Sequence, residues 1–253
     1  VRRAGTHRRE KVAGFNLYRF TLGNRDVSLI ESGIGAARAA EAAGILIDSV
    51  SPGVILSFGF AGAVLPGPAV GDIIVGDRLL FFRERLFTEQ KGLPPGLPEK
   101  LAAMLEEACR GRSFRIHRGT LVTTGEIVDK HRLAGLLPAG TANPAVEMET
   151  VAVARAAARA GIPLVAIRAV SDGAEEELGF SIDEFADREM NISAWKVLRT
   201  IAVKPRIIPQ LFRLARNSKI AGENLAVAVS ALVERLQTTD LPHPLINKTS
   251  CIS

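Results

Sequence analysis

Residues 53–64 read GVILSFGFAGAV, an apolar run that closes on glycine-spaced small residues. Without clean alternation of apolar and polar positions, such a run fits a strand buried on both faces of a sheet. Outward from it, strand patterns recur at Val27–Ile30, Gly71–Phe82, Phe114–Thr123 and Leu164–Val170. Helical patterns fall between them at Ala36–Val50, Pro98–Arg110 and Glu149–Ala160. Strands alternating with helices of this length predict βαβ units, hence an α/β domain with a central mixed, largely parallel sheet flanked by helices. From about Ile182 the strand signals stop, and helical patterns broken by Pro205 and Pro209 run to about Gln237. The expected organisation is an α/β domain over residues 1–190, a basic amphipathic helical extension over 191–237 and a loose tail over 238–253.

Composition narrows the function classes. At 253 residues the chain is one large domain or one with an appendage. Hydrophobic residues at 47% and charged residues at 23% exclude wholesale disorder. No stretch approaches the roughly 20 apolar residues of a spanning helix. Cys109 and Cys251 are the only cysteines, which excludes a disulfide scaffold and fits a reducing, cytoplasmic setting. Residues 1–11 are polar and basic, with no apolar region of a signal peptide behind them. His7, His117, His131 and His243 show no ligand spacing, so neither a metal nor a resident cofactor is expected.

The charge is unevenly spread. Residues 1–11 are basic, and residues 193–219 carry seven Lys and Arg with no acid, which leaves an acidic remainder. Such asymmetry points to an anionic surface as partner or to a solvated helical face. One Trp and one Tyr give little aromatic interleaving for stacking on bases, so no nucleic-acid partner is expected. A basic helix bearing Trp195 and Phe212 suits peripheral contact, at residues 193–219, with the inner face of a membrane.

Four stretches can carry chemistry. Ser32-Gly33-Ile34-Gly35 joins a strand to a helix, where glycine lets a ligand approach and the helix start favours an anion. Arg38 stands where a dinucleotide fingerprint needs a third glycine or alanine, and no acid follows about 20 places on, so a nicotinamide enzyme is not supported. Residues 57–63 end the most apolar strand, where open α/β sheets bind ligands, unless they form only a tight turn. Val146-Glu147-Met148-Glu149 opens an Ala-rich helix, with one carboxylate aimed into a site or serving the helix dipole. Arg168-Ala169-Val170-Ser171-Asp172 ends a buried strand and offers Asp172 as a general acid or as a cap.

Taken together, SGIGAARAA (32–40), LSFGFAGAV (56–64) with VGDIIV (70–75), TTGEIV (123–128), AVEMETVAVA (145–154) and RAVSDGA (168–174) with FSIDEF (180–185) resemble the nucleoside phosphorylase/nucleosidase superfamily. The resemblance lies with the branch of purine nucleoside phosphorylase, methylthioadenosine/S-adenosylhomocysteine nucleosidase and futalosine hydrolase. It implies cleavage of the N-glycosidic bond of a purine nucleoside and a homo-oligomer. On the matching positions, Asp172 is the acid that protonates the leaving purine, and Glu149 holds the ribose hydroxyls with Met148 packed on the sugar. Val128 lies beside the base, and Arg168 and Ser171 support the site. Phe60 and Gly62 fall in the substrate-contacting turn, with only one of Phe58 and Phe60 expected to face the site.

Two departures from the family pattern bear on function. Its members begin with an apolar strand that leads to the group activating water or binding phosphate, and no such strand precedes Val12. The first strand is therefore expected to be missing, and water and phosphate both stay open as nucleophile. Phe60 stands where nucleosidases of this branch carry a small polar residue. The apolar turn and the basic extension together favour a lipid-linked adenosyl substrate, such as the adenosylhopane cleaved in hopanoid biosynthesis. Methylthioadenosine or futalosine cleavage and a non-catalytic nucleoside-binding paralogue are the alternatives.

Overall fold

Strand β4 (Val54–Ala63) is the spine of the molecule. The computed structural model describes residues 7–176, 208–236 and 248–252. Along β4 the side chains alternate between two cores. Ile55 packs with α1 (Ala36–Val50) and α4 (Thr150–Arg159), while Val54 and Leu56 pack with α2 (Leu97–Ala108) and a long C-terminal helix, α5 (Ile208–Arg235). The period of two thus gives one strand two apolar faces, each covered by helices. Helix α1 buries Ala39, Ala42, Ala43 and Leu46, one stripe at helical spacing, and α4 buries Val153, Ala154, Ala156 and Ala157. Small side chains let these two helices sit close together.

The sheet is mixed. Strands β1 (Arg8–Val12), β2 (Phe15–Leu22) and β3 (Arg25–Ile30) form an antiparallel meander at one edge. Strands β5 (Ile73–Arg83) and β6 (Leu86–Glu89) form a hairpin at the other. Between them, β7 (Ile116–Thr124) runs parallel to β5 and to the short β8 (Ala145–Glu147), and β9 (Leu164–Asp172) runs parallel to β4. β8 pairs antiparallel with β4, and β9 pairs antiparallel with β5. The path β4–β9–β5–β7–β8 therefore returns to β4, so the centre of the sheet curls on itself. The largely parallel sheet expected from the helix–strand alternation holds in the centre, while the edges are antiparallel hairpins.

Three expectations are corrected. The tail over 238–253 is not loose throughout: residues 248–252 form β10 (Lys248–Ile252), inserted parallel between β3 and β4. Backbone pairing on both sides and burial of Cys251 and Ile252 hold it there. Where no strand was expected before Val12, the polar residues 8–12 pair as β1. The turn expected at residues 57–63 is the second half of β4, whose ladder with β9 continues to the pair Gly62–Asp172 after an irregularity at Ala61/Gly62.

Helix α5, within the expected extension, belongs to the core. Ala221, Leu225, Ala228, Leu232, Val233 and Leu236 are buried against β4, β9 and α2. Pro209 lies in the first turn of α5, where a missing N–H breaks no helical bond. Of the stretch expected on a membrane, 193–207 lie outside the described residues. No helix among the described residues is long and apolar enough to cross a membrane.

Candidate active site

Two adjoining cavities open at the end of β4 and β9. The larger, about 830 Å³, has Glu149, Arg168, Met148 and Phe60 in its wall. The smaller, about 360 Å³, has Asp172, Ser171, Val128 and Gly62, and it shares Met148 and Phe60 with the first. All eight residues singled out in the sequence thus line one cavity or both. Phe58 lines the larger cavity together with Phe60, against the expectation of one alone. Residues two apart on a strand share a face, so both rings point the same way.

The carboxylate of Glu149 accepts from two backbone N–H groups, those of Gly35 and Met148. Gly35, at φ 98° just before α1, turns its N–H onto Glu149 Oε1 at 2.8 Å. A left-handed φ of this size suits glycine alone. Burial, then the neighbouring charge of Glu147, raises the Glu149 carboxyl above its ordinary range against the pull of that Gly35 bond.

Glu147, two residues earlier, has a different task. Its Oε2 accepts from the backbone N–H of Glu149 at 3.0 Å and of Thr150 at 2.8 Å, and from Arg168 Nη2 at 3.0 Å. The Thr123 hydroxyl donates to its other oxygen. Burial pushes this carboxyl up, but Arg168 and the hydroxyls of Thr123 and Thr150 outweigh that and hold it below the ordinary range. Glu147 is therefore an ionised strut that fixes the start of α4 and, through it, the position of Glu149. Of the two adjacent acids, the sequence reading had no signal to assign this role.

Arg168 is fully buried. Nη2 also donates to Ser57 Oγ at 3.1 Å and Thr150 Oγ1 at 2.6 Å, and Nη1 donates to the Ile167 carbonyl at 2.8 Å. Its Nε–H has no acceptor among the described residues, although the side chain lines the larger cavity. An orphaned buried donor is costly.

In the smaller cavity, Asp172 Oδ1 accepts from the Ser171 hydroxyl at 2.6 Å. Lys130 Nζ donates to Oδ2 and also, at 2.8 Å, to the Gly173 carbonyl. Lys130 was missed in the sequence, where Asp129-Lys130-His131-Arg132 reads as an ordinary charged run. It opens the short helix α3 (Lys130–Ala134), capped by Asp129 Oδ1 accepting from Arg132 N–H at 2.9 Å.

The rest of the larger cavity is apolar. Phe20, Leu22, Val27 and Leu29 form one wall, and Leu225, Val229 and Val233 of α5 form the opposite one. Cys251 completes it as a neutral thiol, pushed up to about 12 by burial.

Residues 2–202 match the family model of the phosphorylase superfamily. The chain belongs to the phosphorylase superfamily. Among its relatives, a 5′-methylthioadenosine/S-adenosylhomocysteine nucleosidase of Exiguobacterium sp. is 32% identical over 74% of this chain and 85% of the relative. The corresponding enzyme of Actinobacillus succinogenes is 31% identical over 76% and 87%. The crystal structure of the Neisseria meningitidis 5′-methylthioadenosine/S-adenosylhomocysteine nucleosidase has the same fold, with a TM-score of 0.66 and 20% identity over 93% of both chains. The family identification from the five motifs therefore stands, and so does the enzyme class, cleavage of an N-glycosidic bond.

Proposed function

We propose that this superfamily member hydrolyses the N-glycosidic bond of a purine nucleoside, adenine being the favoured base, whose 5′ position carries a large apolar group. The observation that carries the reading is the meeting of two unlike cavities at Met148 and Phe60. A ribose seated on Met148 puts its hydroxyls on Glu149 and its C1′ towards the smaller cavity. The purine then lies beside Val128 with N7 towards Asp172. Breaking C1′–N9 builds positive charge on the sugar and negative charge on the base. Glu149 and the ionised Glu147 lie on the side of the first, and Asp172 delivers a proton to the second.

Water is the favoured nucleophile. Arg168 is the one cation in the wall of the larger cavity among the described residues, and both its Nη atoms are already engaged. A phosphate dianion placed there would face Glu147 and Glu149 with no exposed N–H of Arg168 to hold it. Neutral water meets no such repulsion.

The apolar chamber supports the substrate class. About 830 Å³ lies near the upper end of the roughly 300–1,000 Å³ typical of drug-sized ligands. A methylthio group leaves most of it empty, while a lipid-linked adenosyl compound such as adenosylhopane fills it. The names of the relatives favour a second reading, a methylthioadenosine/S-adenosylhomocysteine nucleosidase. Adenine release in phosphate-free buffer, from a detergent-dispersed adenosyl lipid and from methylthioadenosine, tests both. Faster release from the lipid is expected. A strict need for phosphate would overturn the choice of water, and preference for methylthioadenosine would favour the second reading.

A further inference from the structure

Asp172 can protonate a purine only if it holds a proton, and its surroundings are built for the carboxylate. Both oxygens accept hydrogen bonds, one from Ser171 and one from the ammonium of Lys130. Lys130 is buried, which is costly for a free ammonium and is offset here by this pairing and by the Gly173 carbonyl. Strand β4 makes room for the pair at Gly62. A Cβ there would lie 2.5 Å from Asp172 Oδ2 and 2.8 Å from Lys130 Cε.

Among the described residues, no other charged side chain hydrogen-bonds Asp172. Glu147 is held ionised by Arg168 and by the hydroxyls of Thr123 and Thr150. Glu176, at the mouth, pairs with Arg213 of α5 at 3.4 Å and accepts from Asn217. Asp129 caps α3, and Glu126 is exposed. Lys130 is the one cation lining this cavity among the described residues.

We propose that Lys130 is a positioning residue that keeps Asp172 supplied with the proton it passes to the leaving purine. The inference rests on the proposed function. As C1′–N9 breaks, the bonding pair leaves with N9. N7 takes a proton from the Asp172 carboxyl, which takes one from the Lys130 ammonium, leaving a neutral amine. Water bonds to C1′ through oxygen and loses a proton to solvent, and Lys130 recovers a proton from solvent. The sum is nucleoside plus water giving free base and sugar.

Lys130→Arg and Lys130→Met separate proton supply from charge and packing. Arginine keeps the ion pair but does not give up its proton in the working range. Each variant is assayed for adenine release against pH and for cleavage of 4-nitrophenyl β-D-ribofuranoside, whose leaving group departs as a stable anion without a proton. Lys130→Arg is expected to lose about 100-fold or more in adenine release, the range of general-acid catalysis, and less than about threefold on the nitrophenyl riboside, while Lys130→Met, which removes the charge that favours the Asp172 carboxylate, is expected to lose less adenine release than Lys130→Arg. Adenine release by Lys130→Arg at the wild-type rate, or equal losses on both substrates, would overturn the inference alone. No adenine release by the wild type would overturn the functional reading and this inference with it.

Discussion

Glu147 and Glu149 stand two residues apart and titrate in opposite directions, because only Glu147 has a guanidinium in contact. The raised carboxyl of Glu149 takes up a proton at a higher pH than the ~4.3 of an ordinary glutamate. If its ionised form holds the ribose hydroxyls, kcat/KM falls as pH drops through that raised value, and the acid limb lies above the ordinary carboxylate range. A limb at or below pH ~4.3 would remove Glu149 from ribose binding. Glu149→Ala is expected to cost about 100-fold in kcat/KM, the worth of hydrogen bonds to a charged group, with melting temperature little changed. Asp172→Asn keeps the shape and loses the proton, so base release should fall by about 10²–10⁴-fold. Full activity in that variant would contradict the mechanism. Gly62→Ala should disrupt the same step, since its methyl group would lie 2.5 Å from Asp172 Oδ2 and displace the Lys130–Asp172 pair.

At the scale of elements, α5 and β10 decide the shape of the chamber. Val229 on α5 lines it. Val229→Phe should cut cleavage of a substrate with a large 5′ group by at least about tenfold, if two buried methylenes' worth of contact at ~0.8 kcal/mol each is lost, and should change methylthioadenosine cleavage less. Equal effects on both would take the 5′ group out of this chamber. Cys251→Asp puts a carboxylate into the buried interior of the sheet between β3 and β4. A cost of about 3–5 kcal/mol lowers the melting temperature by several degrees, whereas an unchanged melting curve would exclude β10 from the sheet. These two elements also mark how far the sequence could be read. The apolar spacing of α5 made it legible as a helix, but not as the wall of a cavity, because its contacts with β4 and β9 are long-range. Lys248–Ile252 has neither alternation nor a bulky apolar run, and its strand state is imposed by two neighbours far away in sequence. Strands β4, β7 and β9 were legible since each is apolar enough to demand burial. The site residues were legible through family motifs. Lys130 was not, because only the fold brings it to an aspartate 42 positions away.

For the molecule as a whole, the mouth of the site and the basic face of α5 lie together. Phe60 is 45% exposed at the mouth, and a Cβ at Gly222 of α5 would lie 3.5 Å from its ring. One to three turns earlier, Phe212 is 74% exposed, and Ile220 is exposed beside Arg213, Arg216 and Lys219. An apolar ring among cations is the chemistry that seeks an anionic bilayer, at about 1 kcal/mol per basic residue near the surface. Arg216→Glu with Lys219→Glu is expected to lower binding to phosphatidylserine-containing vesicles by about tenfold or more, and equal sedimentation of both forms would count against membrane contact through this face. The central claim is that one chamber receives a purine nucleoside with a large apolar 5′ group. The most direct measurement is kcat/KM for adenine release along a series of 5′-alkylthioadenosines of growing chain length. The expected result is a rise towards about fourfold per methylene, the equivalent of ~0.8 kcal/mol, until the chamber is full. A maximum at the methylthio compound, with a fall at every longer chain, would contradict it.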